Sequence, residues 1–152
     1  MISWAYYPLH PETPLKGISV ADAYPARREK NSFVQQEIQA IAGELGLPLG
    51  KRKMIYNSRR SQELASWADT QEGGQKLHDA LYAGYFVDNM DISDMDVLLA
   101  LVSTAGLDVD SAREAIASGA FAAKVDDDWS RARQQGLTGV PTLLSGETYV
   151  LG

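Results

Sequence analysis

Apolar residues recur along this chain at spacings that change from segment to segment, and each change marks an element. Ile2 to Tyr7 alternates loosely and is rich in β-formers, which predicts a strand. Pro8, Pro11 and Pro14 forbid continued ladder pairing, so an extended loop is expected to Gly17. A helix follows between Ala26 and Leu45, where Val34, Ile38, Ile41 and Leu45 share one face. Gly46 stops it and Pro48 makes resumption difficult.

Asn57 or Ser58 can cap a helix running through Trp67, with Leu64, Trp67 and Ala68 inward, until Gly73-Gly74 breaks the pattern. Gln75 to Val87 reads as the next helix, with Leu77, Leu81 and Tyr85 every fourth residue. Ser93 and Asp96 resemble a capping box for a helix whose Met95, Leu98, Leu99 and Val102 form a full apolar stripe ending at Gly106. Val109–Ala117 and Ala120–Gln135 are two more helices. The second points Phe121, Val125, Trp129 and Ala132 inward and Asp126 to Asp128 mostly outward. Short strands are expected at Thr142–Leu144 and Thr148–Leu151, with Ser145-Gly146 as the turn. One strand, a helical block and a hairpin cannot make a covered sheet, so further strands or a partner are expected to complete it.

Composition narrows the class. With 152 residues, 45% hydrophobic and 22% charged, the chain suits a single globular domain. No apolar run is long enough to cross a bilayer and no secretory leader is visible, so a cytoplasmic, non-membrane protein is expected. The net charge of −6 argues against nucleic acid as a partner. Nine basic and five acidic groups nevertheless fall in residues 1–60, with Lys51, Arg52, Lys53, Arg59 and Arg60 clustered. That cluster reads as a solvated surface, with attraction of an anion as the alternative. The absence of cysteine excludes disulfides, thiolate metal sites and cysteine nucleophiles within these residues.

Other candidate chemistry is thin. His10 has no partner at a recognisable spacing and reads as a turn residue, and His78 reads as a boundary residue on its helix. Asp126, Asp127 and Asp128 point in different directions on a helix and cannot converge on a cation, so no metal site is expected.

Three segments, in order, carry a resemblance to a known family. They are Tyr7-Pro8-Leu9-His10-Pro11-Glu12-Thr13-Pro14; Tyr56-Asn57-Ser58-Arg59 with Leu64-Ala65-Ser66-Trp67-Ala68; and Gly136-Leu137-Thr138-Gly139-Val140-Pro141-Thr142. Together they resemble the DsbA family, in its branch of FrnE-like proteins and 2-hydroxychromene-2-carboxylate isomerases. The resemblance implies an α/β, incomplete thioredoxin-like fold with a large all-helical insertion. Residues 1–20 and 120–152 would form the thioredoxin-like part, and 21–119 the insertion. The family's first strand and Cys-x-x-Cys helix would precede Ile2, and a final helix would follow Gly152.

By that resemblance Val140 precedes a cis-proline at Pro141 and offers its backbone to a substrate. Asn57, Ser58 and Arg59 would face the same cleft and hold an anionic group, with helix capping as the plainer role for Asn57 and Ser58. No catalytic residue lies in the chain, so the implied protein is a thiol–disulfide oxidoreductase relative, redox-inactive in this cysteine-free form. Its partner would be a thiol or disulfide peptide or a small molecule, with no cofactor. A glutathione-dependent isomerase, binding glutathione through the basic first part, is the alternative, and a non-catalytic binding module is another. An unpaired sheet edge near Trp4, Tyr6 and Tyr7 makes a homodimer the expected assembly.

Overall fold

The computed structural model describes residues 3–25, 28–146 and 148–151, with side chains for all of these except 28–32 and 148–151. Residues 3–8 form no regular element and join no sheet among the described residues, and Ile2 lies outside them. The expected first strand is therefore corrected. A strand needs a neighbouring ladder, and here the Tyr6 N–H is instead donated to Asp128 Oδ2 at 3.2 Å.

The prolines do hold the chain in an irregular loop as far as Gly17. Gly17 closes that loop at φ +75°, and a Cβ there would lie 2.7 Å from the Tyr56 ring, so only glycine fits. Three short elements that the hydrophobic pattern does not reveal follow. Strand β1 (Ile18–Ser19) leads into the single turn α1 (Val20–Ala23) and pairs antiparallel with β2 (Met54–Ile55). Two-residue strands carry too few positions for alternation to show.

Helix α2 (Arg28–Glu44) matches the expected helix apart from its start, Ala26 being outside the described residues. Its apolar stripe is not core: Val34, Ile38 and Ile41 are exposed, as are Phe33 and Leu45.

The core lies in the next five helices, α3 (Arg59–Ala68), α4 (Gln75–Phe86), α5 (Met95–Thr104), α6 (Val109–Ala117) and α7 (Ala122–Gln134). Helix α3 is central and packs on α4, α6 and α7, while α5 bridges α4 and α6. Leu64, Trp67, Ala68, Leu77, Leu98, Leu99, Val102 and Ala112 form one buried cluster. These are largely the inward positions that helical spacing predicts.

Two details depart from expectation. Asp94, rather than Ser93, caps α5 by accepting from the N–H groups of Asp96 and Val97. Ser93 lies one residue before the cap position, and its hydroxyl turns away to donate toward Leu15 O at 2.7 Å and Asp91 Oδ1 at 2.6 Å. Asp128 is buried rather than outward. Lys124 and Arg131, one turn away on either side, join the Tyr6 N–H in neutralising and bonding its carboxylate. A buried carboxylate is tolerated only with such partners.

The chain ends in a hairpin of β3 (Leu143–Ser145) and β4 (Thr148–Leu151), one residue later at its first strand than the sequence pattern suggests. The described strands thus form two separate two-stranded sheets. No described helix is long and apolar enough to cross a membrane.

Candidate functional site

An irregular segment lies between α7 and β3. Helix α7 ends at Gly136, whose φ of +65° turns the chain away, and the Leu137 N–H reaches back to Ala132 O at 3.0 Å. Residues Gln135 to Thr142 then line a recess of about 470 Å³. Within it the Val140–Pro141 peptide bond is cis, and the Thr142 hydroxyl donates to Gly139 O at 2.7 Å. Val140 is half exposed, and neither its N–H nor its C=O has a partner among the described residues. Gln135 Oε1 is buried at the same recess without a hydrogen-bond partner. A backbone with a free donor and acceptor beside an open recess is suited to pairing with an extended chain.

The start of α3 is a second place of interest, and it is largely occupied by internal bonds. Asn57 donates to Thr13 O at 2.7 Å and accepts from the Arg59 N–H at 2.9 Å, so it clamps the proline-rich loop and caps the helix. Ser58 makes no side-chain cap; its hydroxyl accepts from Gln62 Nε2 at 3.1 Å. Arg59 bonds Glu63 and Asp126, each at 2.5 Å, donates to Ala122 O at 3.0 Å, and lies 4.9 Å from the Trp129 ring centre. The hydrogen bond from Arg59 holds the Asp126 carboxyl below its ordinary range. Each of the three Arg59 guanidinium nitrogens is thus engaged by α3 or α7. Its place is that of a brace between two helices, not of a free anion receptor.

Asn57 and Arg59 line a cleft of about 460 Å³ with Arg60, Met95 and Ile116, and this cleft shares no residue with the recess at Val140 and Pro141. The structure therefore does not gather the five expected binding residues into one pocket. It joins the two places indirectly. Gln62 Nε2 donates to Ser58 Oγ and to Tyr7 O, its Oε1 accepts from Trp129 Nε1 at 2.7 Å, and Tyr7 donates to Leu137 O. Of the connecting residues, Tyr7 and Trp129 stand out in the sequence only as an expected strand position and an inward helical position, and Gln62 does not stand out at all. The available signal was Gln62 itself, a polar residue one helical turn after Ser58 and on its face.

The remaining candidates are structural. His10 shares a 3.0 Å hydrogen bond with the Tyr24 hydroxyl, and His78 meets Asp69 at 2.8 Å. No group of acidic or histidine side chains suited to a metal occurs among the described residues.

Comparison with known proteins adds the following. The family model for the DSBA-like thioredoxin domain matches residues 1–152. No curated protein matches the chain. Among solved structures, a probable DsbA oxidoreductase from Streptomyces coelicolor is 27% identical with a TM-score of 0.77, over 88% of this chain and 61% of that one. A 2-hydroxychromene-2-carboxylate isomerase is similar in fold, at 19% identity and a TM-score of 0.68, over 81% of this chain and 60% of that one. The chain spans about three-fifths of the length of each.

Proposed function

The chain belongs to the DSBA-like thioredoxin domain family, and on that premise we propose that it supplies the substrate-docking side of a thiol–disulfide oxidoreductase. The observation that carries this reading is Val140, half exposed in the recess with neither its backbone donor nor its acceptor bonded among the described residues. An extended thiol or disulfide peptide would pair with the Val140 backbone and lie against Pro141. Asn57, Ser58 and Arg59 would serve as the frame behind the recess, through Gln62 and Tyr7. The division into a thioredoxin-like part (1–20 and 120–152) and a helical insertion (21–119) belongs to the same proposal. So does a cytoplasmic location.

Thiol–disulfide exchange by these residues alone is ruled out at the level of the nucleophile, since it requires an attacking thiolate and the sequence has no cysteine. A glutathione-dependent isomerase is less well supported, because Arg59, one of the basic residues of the first part expected to hold glutathione, is already bonded to Glu63 and Asp126. Self-association as a homodimer would cover exposed Trp4. Sedimentation equilibrium showing only monomer at high micromolar concentration would remove that part.

Binding of an extended peptide with a blocked cysteine tests the main reading. Val140→Pro deletes the N–H and should weaken binding by about fivefold or more, one hydrogen bond's worth. Equal affinity of the folded variant and the parent would sink the reading.

A further inference from the structure

Arg60 sits beside Arg59 in sequence but in a different electrostatic position. It is half-buried, its Nη1 donates to Ser93 O at 3.0 Å, and no carboxylate among the described residues is within ion-pairing distance. The acids around it are spent elsewhere. Glu63, which lines the same cleft, is bonded by Arg59, and Asp91 accepts both the N–H and the hydroxyl of Ser93. The cleft's own charges are two guanidinium groups against one carboxylate, in a chain whose net charge is −6. The rest of the lining is Asn57 and Ser93, whose side chains are engaged in internal hydrogen bonds, and the apolar Leu15, Met95, Ile116 and Ala117.

A partly buried guanidinium with free N–H groups, above an apolar wall, is costly to leave unpaired. The cleft volume of about 460 Å³ falls in the range of small-molecule sites. We propose that it binds a small monocarboxylate with a short apolar tail. The carboxylate would take the open edge of the Arg60 guanidinium, as planar forks favour, and the tail would lie against Met95 and Ile116. Glu63 disfavours a dianion such as phosphate, because it places a like charge in the same cleft. The site is separate from the recess at Val140, and the two stand or fall independently.

The test is a titration of isotope-labelled protein, followed by amide shifts, with hexanoate, its neutral counterpart 1-hexanol and inorganic phosphate. Hexanoate should bind saturably with shifts around Arg60, Ser93, Met95 and Ile116, and the other two should bind about tenfold more weakly or not at all. Arg60→Gln should bring hexanoate down to the level of hexanol while the amide spectrum stays that of a folded protein, although the lost bond to Ser93 O lowers the melting temperature. Should that variant fail to fold, Ile116→Glu, which keeps Arg60 and sets a second carboxylate in the wall, should give the same loss. The proposal is overturned by any of three results: no saturation by about 10 mM hexanoate, equal binding of hexanol, or undiminished hexanoate binding in a folded variant.

Discussion

Tyr7 and Leu137, 130 positions apart, are joined by a 3.1 Å hydrogen bond in which the tyrosine hydroxyl donates to the leucine carbonyl. The bond ties the segment before the proline-rich loop to the first turn of the recess that carries Val140. Because Gln62 also donates to Tyr7 O, one residue couples the recess to the central helix α3.

Removing that hydroxyl therefore has a local and a global consequence. Tyr7→Phe should cost about 1 kcal/mol in a denaturant melt, the ordinary worth of one neutral hydrogen bond. Amide exchange at residues 137–142 should quicken more than exchange in α5. Uniform change across both regions would mean that Tyr7 does not specifically hold the recess.

The helical block has its own test. Leu98 is fully buried and Leu99 nearly so, both within the cluster built on α3 to α6. Leu98→Ala or Leu99→Ala should each cost about 2–5 kcal/mol, from lost transfer energy and the cavity left behind. Losses below about 0.5 kcal/mol at both sites would contradict the core assignment.

The helices were legible because their apolar positions repeat over three or more turns, as at Leu98, Leu99 and Val102. Periodicity alone could not show which stripes are covered. Val34, Ile38 and Ile41 repeat just as regularly on α2 and remain exposed. Ile2–Tyr7 had strand composition but no ladder partner among the described residues, and Asp128 looked like one of three surface acids until its partner at Tyr6 was known. The residues proposed for binding show the same limit. Val140 and Pro141 are in an open recess, whereas Arg59 is bonded to two carboxylates that lie 4 and 67 positions away. Only the nearer of these could be seen as a helical pair.

Alkaline pH should expose the environment of Tyr6. Burial pushes its hydroxyl pKa well up, followed by the charge of Asp69 and the 3.0 Å hydrogen bond donated to that carboxylate. The unfolded chain releases this proton near pH 10 or so, while the folded protein retains it. The unfolded state then binds fewer protons, so stability is intact below that pH and falls as pH rises beyond it. Tyr6→Phe should flatten the fall without abolishing it, since burial also raises the Tyr56 pKa. Identical slopes for parent and variant would show that Tyr6 titrates normally.

The central claim is that the recess at residues 135–142 receives an extended chain on the Val140 backbone. The most direct measurement is an amide-shift titration of the labelled protein with an extended peptide whose cysteine is S-methylated. The account predicts saturable shifts concentrated at Gly136 to Thr142, excluding the prolyl position, with the Val140 amide moving most and protected from exchange in the bound state. Saturable shifts confined to the cleft around Arg60 and Ile116, or none at peptide concentrations of about 1 mM, would contradict it.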